Sequence, residues 1–226
     1  MMEDQSVLFA KKNKKQFLER LVKGITPEES EEKIAVFMAG SPGAGKTEVA
    51  TGLAEIFKNV VIIDADIFRS YFPGYNGHNS NEFQKGASLM VEYALDYVLK
   101  KGYSFILDGT FAIGKSVENI QRALKRNYNT SIYYVYQDPL IAWDFTQKRE
   151  RIEGRYVPKE RFINAYFKAR DNIQKVSHML DDKVELVVVM KDYQNIISDI
   201  IDGVENIELV ISNKYTVAEL EEKLND

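Results

Sequence analysis

Residues 40–47 read Gly40-Ser41-Pro42-Gly43-Ala44-Gly45-Lys46-Thr47, directly after the apolar run Ile34-Ala35-Val36-Phe37-Met38-Ala39. The spacing is G-x-x-x-x-G-K-[ST], a phosphate-binding loop when a strand precedes it and a helix follows. A triphosphate needs many donors close together. Glycines let backbone N–H groups approach it, and a helix beginning at Lys46 turns its positive end toward the anion. Gly40, Ser41, Pro42, Gly43, Ala44 and Gly45 then form the cradle. Lys46 reaches the β- and γ-phosphates, and Thr47 holds Mg²⁺ through its hydroxyl. ATP and Mg²⁺ are the cofactors this loop implies.

Acids fall where a second half-reaction would need them. Asp64 and Asp66 follow Val60-Val61-Ile62-Ile63, Asp108 follows Ser104-Phe105-Ile106-Leu107, and Asp138 follows Ile132-Tyr133-Tyr134-Val135-Tyr136. In an open parallel sheet, ligands bind beyond the C-terminal ends of such strands. A hydroxyl accepting a phosphoryl group is a poor nucleophile until a fixed carboxylate takes its proton. Asp66 is the candidate base, with a helix N-cap as its plainer reading. Asp108 is a candidate magnesium-orienting or substrate-contacting acid, or a turn residue before Gly109. Asp138-Pro139 reads as a helix start. Arg149, Arg151 and Arg155 crowd one segment with Arg161 close behind. Guanidinium groups suit a mobile lid over a transferring phosphoryl group, because they stay charged and bind two oxygens at once. An exposed charged helix face, with Glu150 and Glu153 interleaved, is the alternative.

The elements that must position these residues alternate. Strands at 34–39, 60–63, 104–107, 132–136 and 184–190 are separated by expected helices at about 46–57, 82–100, 115–126, 140–151 and 159–180. Such alternation implies an α/β P-loop fold: a central parallel sheet flanked by helices. Residues 1–33 form an expected helical extension. An amphipathic helix covers about 12–23, with Lys11, Lys12, Lys14 and Lys15 beside it, and a short helix starts at Thr26-Pro27-Glu28-Glu29. The kinase core spans 34–192 with an arginine-bearing lid at about 145–160. A C-terminal extension at 193–226 packs on the core, with a helix at about 193–201, a strand at Ile207–Ile211 and a terminal helix capped by Thr216.

The 226 residues can bury a sizeable core, and 45% hydrophobic with 28% charged residues is ordinary for a globular chain. A net charge of −4 makes no electrostatic case for nucleic acid. There is no cysteine, which excludes disulfides, thiolate metal sites and a cysteine nucleophile. No apolar stretch approaches the roughly 18 residues needed to span a membrane. The N-terminus lacks a secretory apolar region, so a cytoplasmic location is expected. His78 and His178 lie too far apart in sequence for a metal site and read as exposed and structural residues. Tyr75 is a candidate for stacking on a base or sugar.

Taken together, G-S-P-G-A-G-K-T at 40–47, I-D-A-D-I-F-R at 63–69, F-P-G-Y at 72–75, D-G-T at 108–110 and R-x-x-P-K at 155–159 resemble the zeta toxin family of P-loop kinases, over about residues 34 to 175. The resemblance implies phosphorylation of a sugar hydroxyl of UDP-N-acetylglucosamine with ATP and Mg²⁺. It also implies toxicity through depletion of cell-wall precursors and an antitoxin protein as partner. It places Asp66 as general base, Glu92, Asp108 and Thr110 at the acceptor, and Arg149 and Arg155 in the lid, where Arg151 fits the Arg149 position as well. Asp108 stands where the family usually has glutamate, and Ala112 where it often has arginine. Both departures fall on the acceptor side. An antibiotic, another nucleotide or a nucleic-acid end therefore stays open as acceptor, as does a non-catalytic nucleotide-dependent regulatory module.

Overall fold

The computed structural model describes residues 4–28, 33–211 and 215–225. Its centre is a six-stranded sheet made of β1 (Ile34–Ala39), β2 (Val61–Asp64), β3 (Phe105–Asp108), β4 (Asn129–Tyr136), β5 (Glu185–Lys191) and β6 (Ile197–Ile201). The spatial order is β2-β3-β1-β4-β5-β6, parallel throughout except for the antiparallel pair β5–β6. The helices are α1 (Gln5–Leu21), α2 (Lys46–Phe57), α3 (Ala65–Arg69), α4 (Gln84–Lys101), α5 (Ser116–Leu124), α6 (Pro139–Glu153), α7 (Lys159–Leu180), α8 (Ile207–Val210) and α9 (Val217–Lys223).

Strand β1 shows why the sheet must be covered on both sides. Ala35, Phe37 and Ala39 point into one apolar cluster with Phe105, Ile132 and Tyr134, and Val36 and Met38 point into another with Ile106, Val135 and Val189. Side chains alternate across a strand, so a run that is apolar at every position has two faces to bury. Helix α2 covers the second face through Val49 and Ala50. The first face takes most of the rest, including α1, whose Phe17 and Leu18 are buried in the same cluster as Met90 of α4.

Caps set several boundaries. Asp4 accepts from the Ser6 N–H at 2.9 Å, so α1 starts well before the expected residue 12. Asp138 caps α6 with Pro139 at its first turn, as the sequence suggested. Thr216 and Glu219 form a reciprocal capping box on α9.

Three expectations fail. Thr26 to Glu28 are not helical: Thr26 N–H donates to Asn59 Oδ1 at 2.9 Å, and residues 29–32 of that expected helix lie outside the described residues. The helix expected at 193–201 is a turn and the strand β6. The Asp192 carboxylate accepts from the Gln194 and Ile196 N–H groups, Asn195 takes a left-handed conformation, and the β-branched isoleucines that follow favour an extended chain. The strand expected at 207–211 is the short helix α8, because Asn206 caps it by accepting from Glu208 N–H.

Candidate functional site

Because β1 to β4 run parallel, their C-terminal ends lie along one edge, and β1 has β3 on one side and β4 on the other. This is the point where the order of connection reverses, the usual place for a ligand crevice. Residues 40–45 fill it. Gly43 has φ +77°, and a Cβ there would lie 2.1 Å from the Ala142 carbonyl oxygen of α6, so the loop passes that helix too closely for any side chain. Gly45 is the N-cap of α2 and no side chain caps the helix, so its first-turn N–H groups face the loop's hollow.

Lys46 Nζ donates to the Ser41 carbonyl at 2.7 Å across this hollow. Burial lowers its pKa to about 8; the neighbouring Arg149 adds to the fall and Asp108 opposes it. Thr47 Oγ1 donates to Asp108 Oδ2 at 2.8 Å. Asp108 and Asp64 are partners in the β2–β3 register, so the two carboxylates lie side by side. Burial, and then the Asp66 and Asp108 charges, push Asp64 up to about 7. Asp108 is also raised, by burial first, against the pull of Lys46 and Thr47. The loop of Thr110 is tied to the phosphate loop, since the Gly40 N–H donates to the Thr110 carbonyl at 3.3 Å. Just beyond, Phe111 is left-handed (φ 59°) and buried, with its carbonyl held by Asn172 Nδ2 at 2.8 Å and Ser116 Oγ at 3.1 Å. Strain of this kind persists where surrounding contacts over-determine it.

Asp66 is not a helix N-cap. Asp64 takes that place on α3, accepting from the Asp66 N–H at 3.0 Å. The Asp66 carboxylate is therefore free to project, and two guanidinium groups bracket it: Arg69 on Oδ1 and Arg155 on Oδ2. Arg155 also lies 3.7 Å from Glu153. Arg149 pairs with Glu153 at 3.4 Å and sits close enough for its charge to act on Lys46. Arg151, two residues on and so on another side of α6, is exposed. Gly154 ends α6 in a left-handed turn with φ +72°, and a Cβ on it would fall 2.2 Å from the ring of His78. The exposed His78 thus packs on the turn that ends α6.

The structure thus gathers Lys46, Thr47, Asp66, Asp108 and Arg155, with Arg149 at the edge. Glu92 is engaged elsewhere: its carboxylate receives Lys115 Nζ at 2.9 Å, and both side chains are more than half exposed. Tyr75 packs edge-on against Phe83 with ring centres 5.9 Å apart. Arg69, Lys115 and Asn172 also contact the residues named from the sequence or the loop beside them. Arg69 alone left a local signal, lying three residues beyond Asp66 on a helix, where side chains meet.

Across residues 19–200 the chain matches the family model for zeta toxins. The chain belongs to the zeta toxin family. No curated protein matched it by sequence. Among solved structures, one from the PezAT chromosomal toxin-antitoxin system of Streptococcus pneumoniae shares its fold with a TM-score of 0.71 and 21% identity, over 100% of this chain and 97% of that one. A structure of the AvrRxo1-ORF1:AvrRxo1-ORF2 complex gives 0.63 at 15% identity, covering 96% and 80%. A further one of that pair, with ATP, gives 0.56 at 13%, covering 98% and 68%. This zeta-toxin chain therefore has the mixed α/β fold of P-loop kinases. No helix among its described residues is long and apolar enough to cross a membrane.

Proposed function

We propose that the protein transfers the γ-phosphoryl group of ATP to a hydroxyl of a small molecule, in the manner of a zeta-type toxin. The carrying observation is one geometry: the Thr47–Asp108 hydrogen bond and Lys46 stand at the phosphate loop, on the same sheet edge as Asp66, which emerges from the next strand but one. Residues 34–192 act as the kinase core, with 1–33 and 193–226 as flanking extensions.

The Thr47 hydroxyl and the Asp108 carboxylate are hard oxygen donors, and the Asp64 carboxylate lies beside them in the β2–β3 register. That set fits Mg²⁺. Among the described residues no cluster of three or more His, Cys, Asp or Glu could hold a metal alone. Mg²⁺ is usually bound by one or two protein groups together with phosphate oxygens. When bound, Mg²⁺ would neutralise charge on the β- and γ-phosphates.

The protein's own side chains do the rest. Loop N–H groups and Lys46 hold the triphosphate. Asp66 takes the acceptor's proton as its oxygen bonds to the γ-phosphorus. The bond from that phosphorus to the bridging oxygen breaks, and ADP leaves with the electron pair. Arg155 must first exchange Asp66 for the phosphoryl oxygens, and Arg149 must leave Glu153. Both lid arginines thus rest on carboxylates that substrate displaces.

For the acceptor, the family resemblance supports a UDP-amino sugar such as UDP-N-acetylglucosamine, with Asp108 and Thr110 beside the phosphate loop as its contacts; Glu92 would have to leave Lys115 to join them. An antitoxin is the proposed protein partner, and the cytoplasm, where ATP is plentiful, the proposed location. The test is to incubate the purified protein and ATP·Mg²⁺ with a panel of UDP-sugars, nucleotides, aminoglycosides and small alcohols, and to weigh the products. A phosphorylated UDP-sugar supports the full reading. Another phosphorylated acceptor retains the kinase and replaces the substrate. ATP hydrolysis with no acceptor product rejects both.

A further inference from the structure

Asp66 is held by two arginines that differ in kind. Arg69 belongs to the same short helix, and its side chain is 10% exposed, against 25% for Arg155. Its second terminal nitrogen is fixed by Gln84 Oε1 at the start of α4, and Gln84 Nε2 in turn donates to Ser88 Oγ at 2.9 Å. A chain of side chains thus runs from α4 through Arg69 to Asp66 Oδ1. Arg69 Nε is buried without a partner among the described residues, and Arg161 of α7 brings a further positive charge toward it. Arg155 instead follows the Gly154 hinge, is more exposed, and has a second carboxylate, Glu153, within 3.7 Å. The other charged groups that face Asp66 are Asp64 on β2 and Asp108 on β3.

We propose that Arg69 is a positioning residue for the base: it fixes Asp66 through Oδ1, so that Oδ2 is the oxygen presented to the acceptor hydroxyl once Arg155 lets go. This rests on the kinase reading above. A carboxylate anchored at one oxygen keeps a single orientation, and general-base transfer depends on that geometry. Because Arg69 lies in the interior and forms two tethers, it has no reason to leave when substrate arrives. Arg155 has an alternative partner and a hinge.

The test uses the full chain and the acceptor found in the panel, with Arg69→Met and Arg69→Lys made both alone and with Asp66→Asn. Arg69→Met should lower kcat about 10- to 100-fold while KM for ATP stays within about twofold, with Arg69→Lys recovering part of the loss. In the Asp66→Asn background the same change should cost less than about twofold, because Arg69 acts through that carboxylate. An unchanged kcat, or an equal loss in both backgrounds, overturns the proposal. If Arg69→Met does not fold, Gln84→Leu removes the outer tether and should give a several-fold loss of kcat that again vanishes with Asp66→Asn. A readout independent of turnover is the nitrogen NMR of the guanidinium groups. Arg69 should show resolved terminal nitrogens, indicating slow rotation, and these should merge in Asp66→Asn, while those of Arg155 are averaged. An averaged Arg69, or an equally rigid Arg155, would contradict the proposal even if the kinase reading stands.

Discussion

Three carboxylates converge where phosphate chemistry would occur, and each is in a different state. Asp66 is bracketed by arginines, Asp108 is bonded to Thr47, and Asp64, beside both, is raised by burial first and then by their charges. A carboxylate raised from its ordinary value to about 7 binds a proton in the folded state that the unfolded chain gives up. Stability therefore falls as pH rises through the window from about 4 to 7. Asp64→Asn keeps the cap acceptor on α3 and removes the charge. Without Mg²⁺ its melting temperature should exceed wild type at pH 8, and the gain should shrink toward pH 5. Equal melting at both pH values would show that Asp64 is not crowded. The phosphate loop, Asp66 and Asp108 were legible in the sequence because each belongs to a local pattern at the end of an apolar run. The partners of those residues were not. That Arg155 rests on Asp66 and Lys115 on Glu92 depends on how separate helices meet, which no spacing in the chain encodes.

Among the elements, α6 and the turn that follows it are the most informative. Helix α6 was legible from Asp138-Pro139 at its start, and the observed Pro139–Glu153 begins there and runs two residues past the expected end at 151. The His78 ring packs against Gly154, where the proposed lid would turn. Adding a methyl group there forces a residue with a side chain into a left-handed conformation against an imidazole ring. Gly154→Ala should cost about 1–3 kcal/mol, read as a drop in melting temperature of several degrees, and should raise the acceptor KM as the lid shifts. Wild-type melting and kinetics would mean that the hinge carries neither load. The errors also fall at this scale. In β6 and α8 the pattern of apolar residues was ambiguous, and the side chains of Asp192 and Asn206, each accepting from a nearby N–H, settled the local conformation.

For the molecule as a whole, the sheet order was inaccessible from alternation alone. The parallel α/β class followed from it, as did the prediction that loops after β1, β2 and β3 share an edge. The C-terminal segment is anchored by contacts that no local signal announces: Trp143 Nε1 donates to the Asn225 carbonyl at 2.7 Å, Lys159 Nζ to that of Leu224 at 2.6 Å, and Arg170 pairs with Glu208 at 2.8 Å. Nucleotide binding should be visible at this scale. ATP·Mg²⁺ at about 100 times its Kd should stabilise the fold by about 2.7 kcal/mol, raising the melting temperature by about 5–10 °C. Lys46→Met should abolish most of that rise, and a full rise in that variant would remove Lys46 from the phosphate site. Product mass decides whether the protein transfers a phosphoryl group to a hydroxyl with Asp66 as base. With ATP·Mg²⁺ and the acceptor panel, wild type should yield an acceptor one phosphate heavier, UDP-N-acetylglucosamine first among the candidates, and Asp66→Asn should form it about 10²- to 10⁴-fold more slowly. No heavier acceptor from wild type, or an undiminished rate from Asp66→Asn, would contradict it.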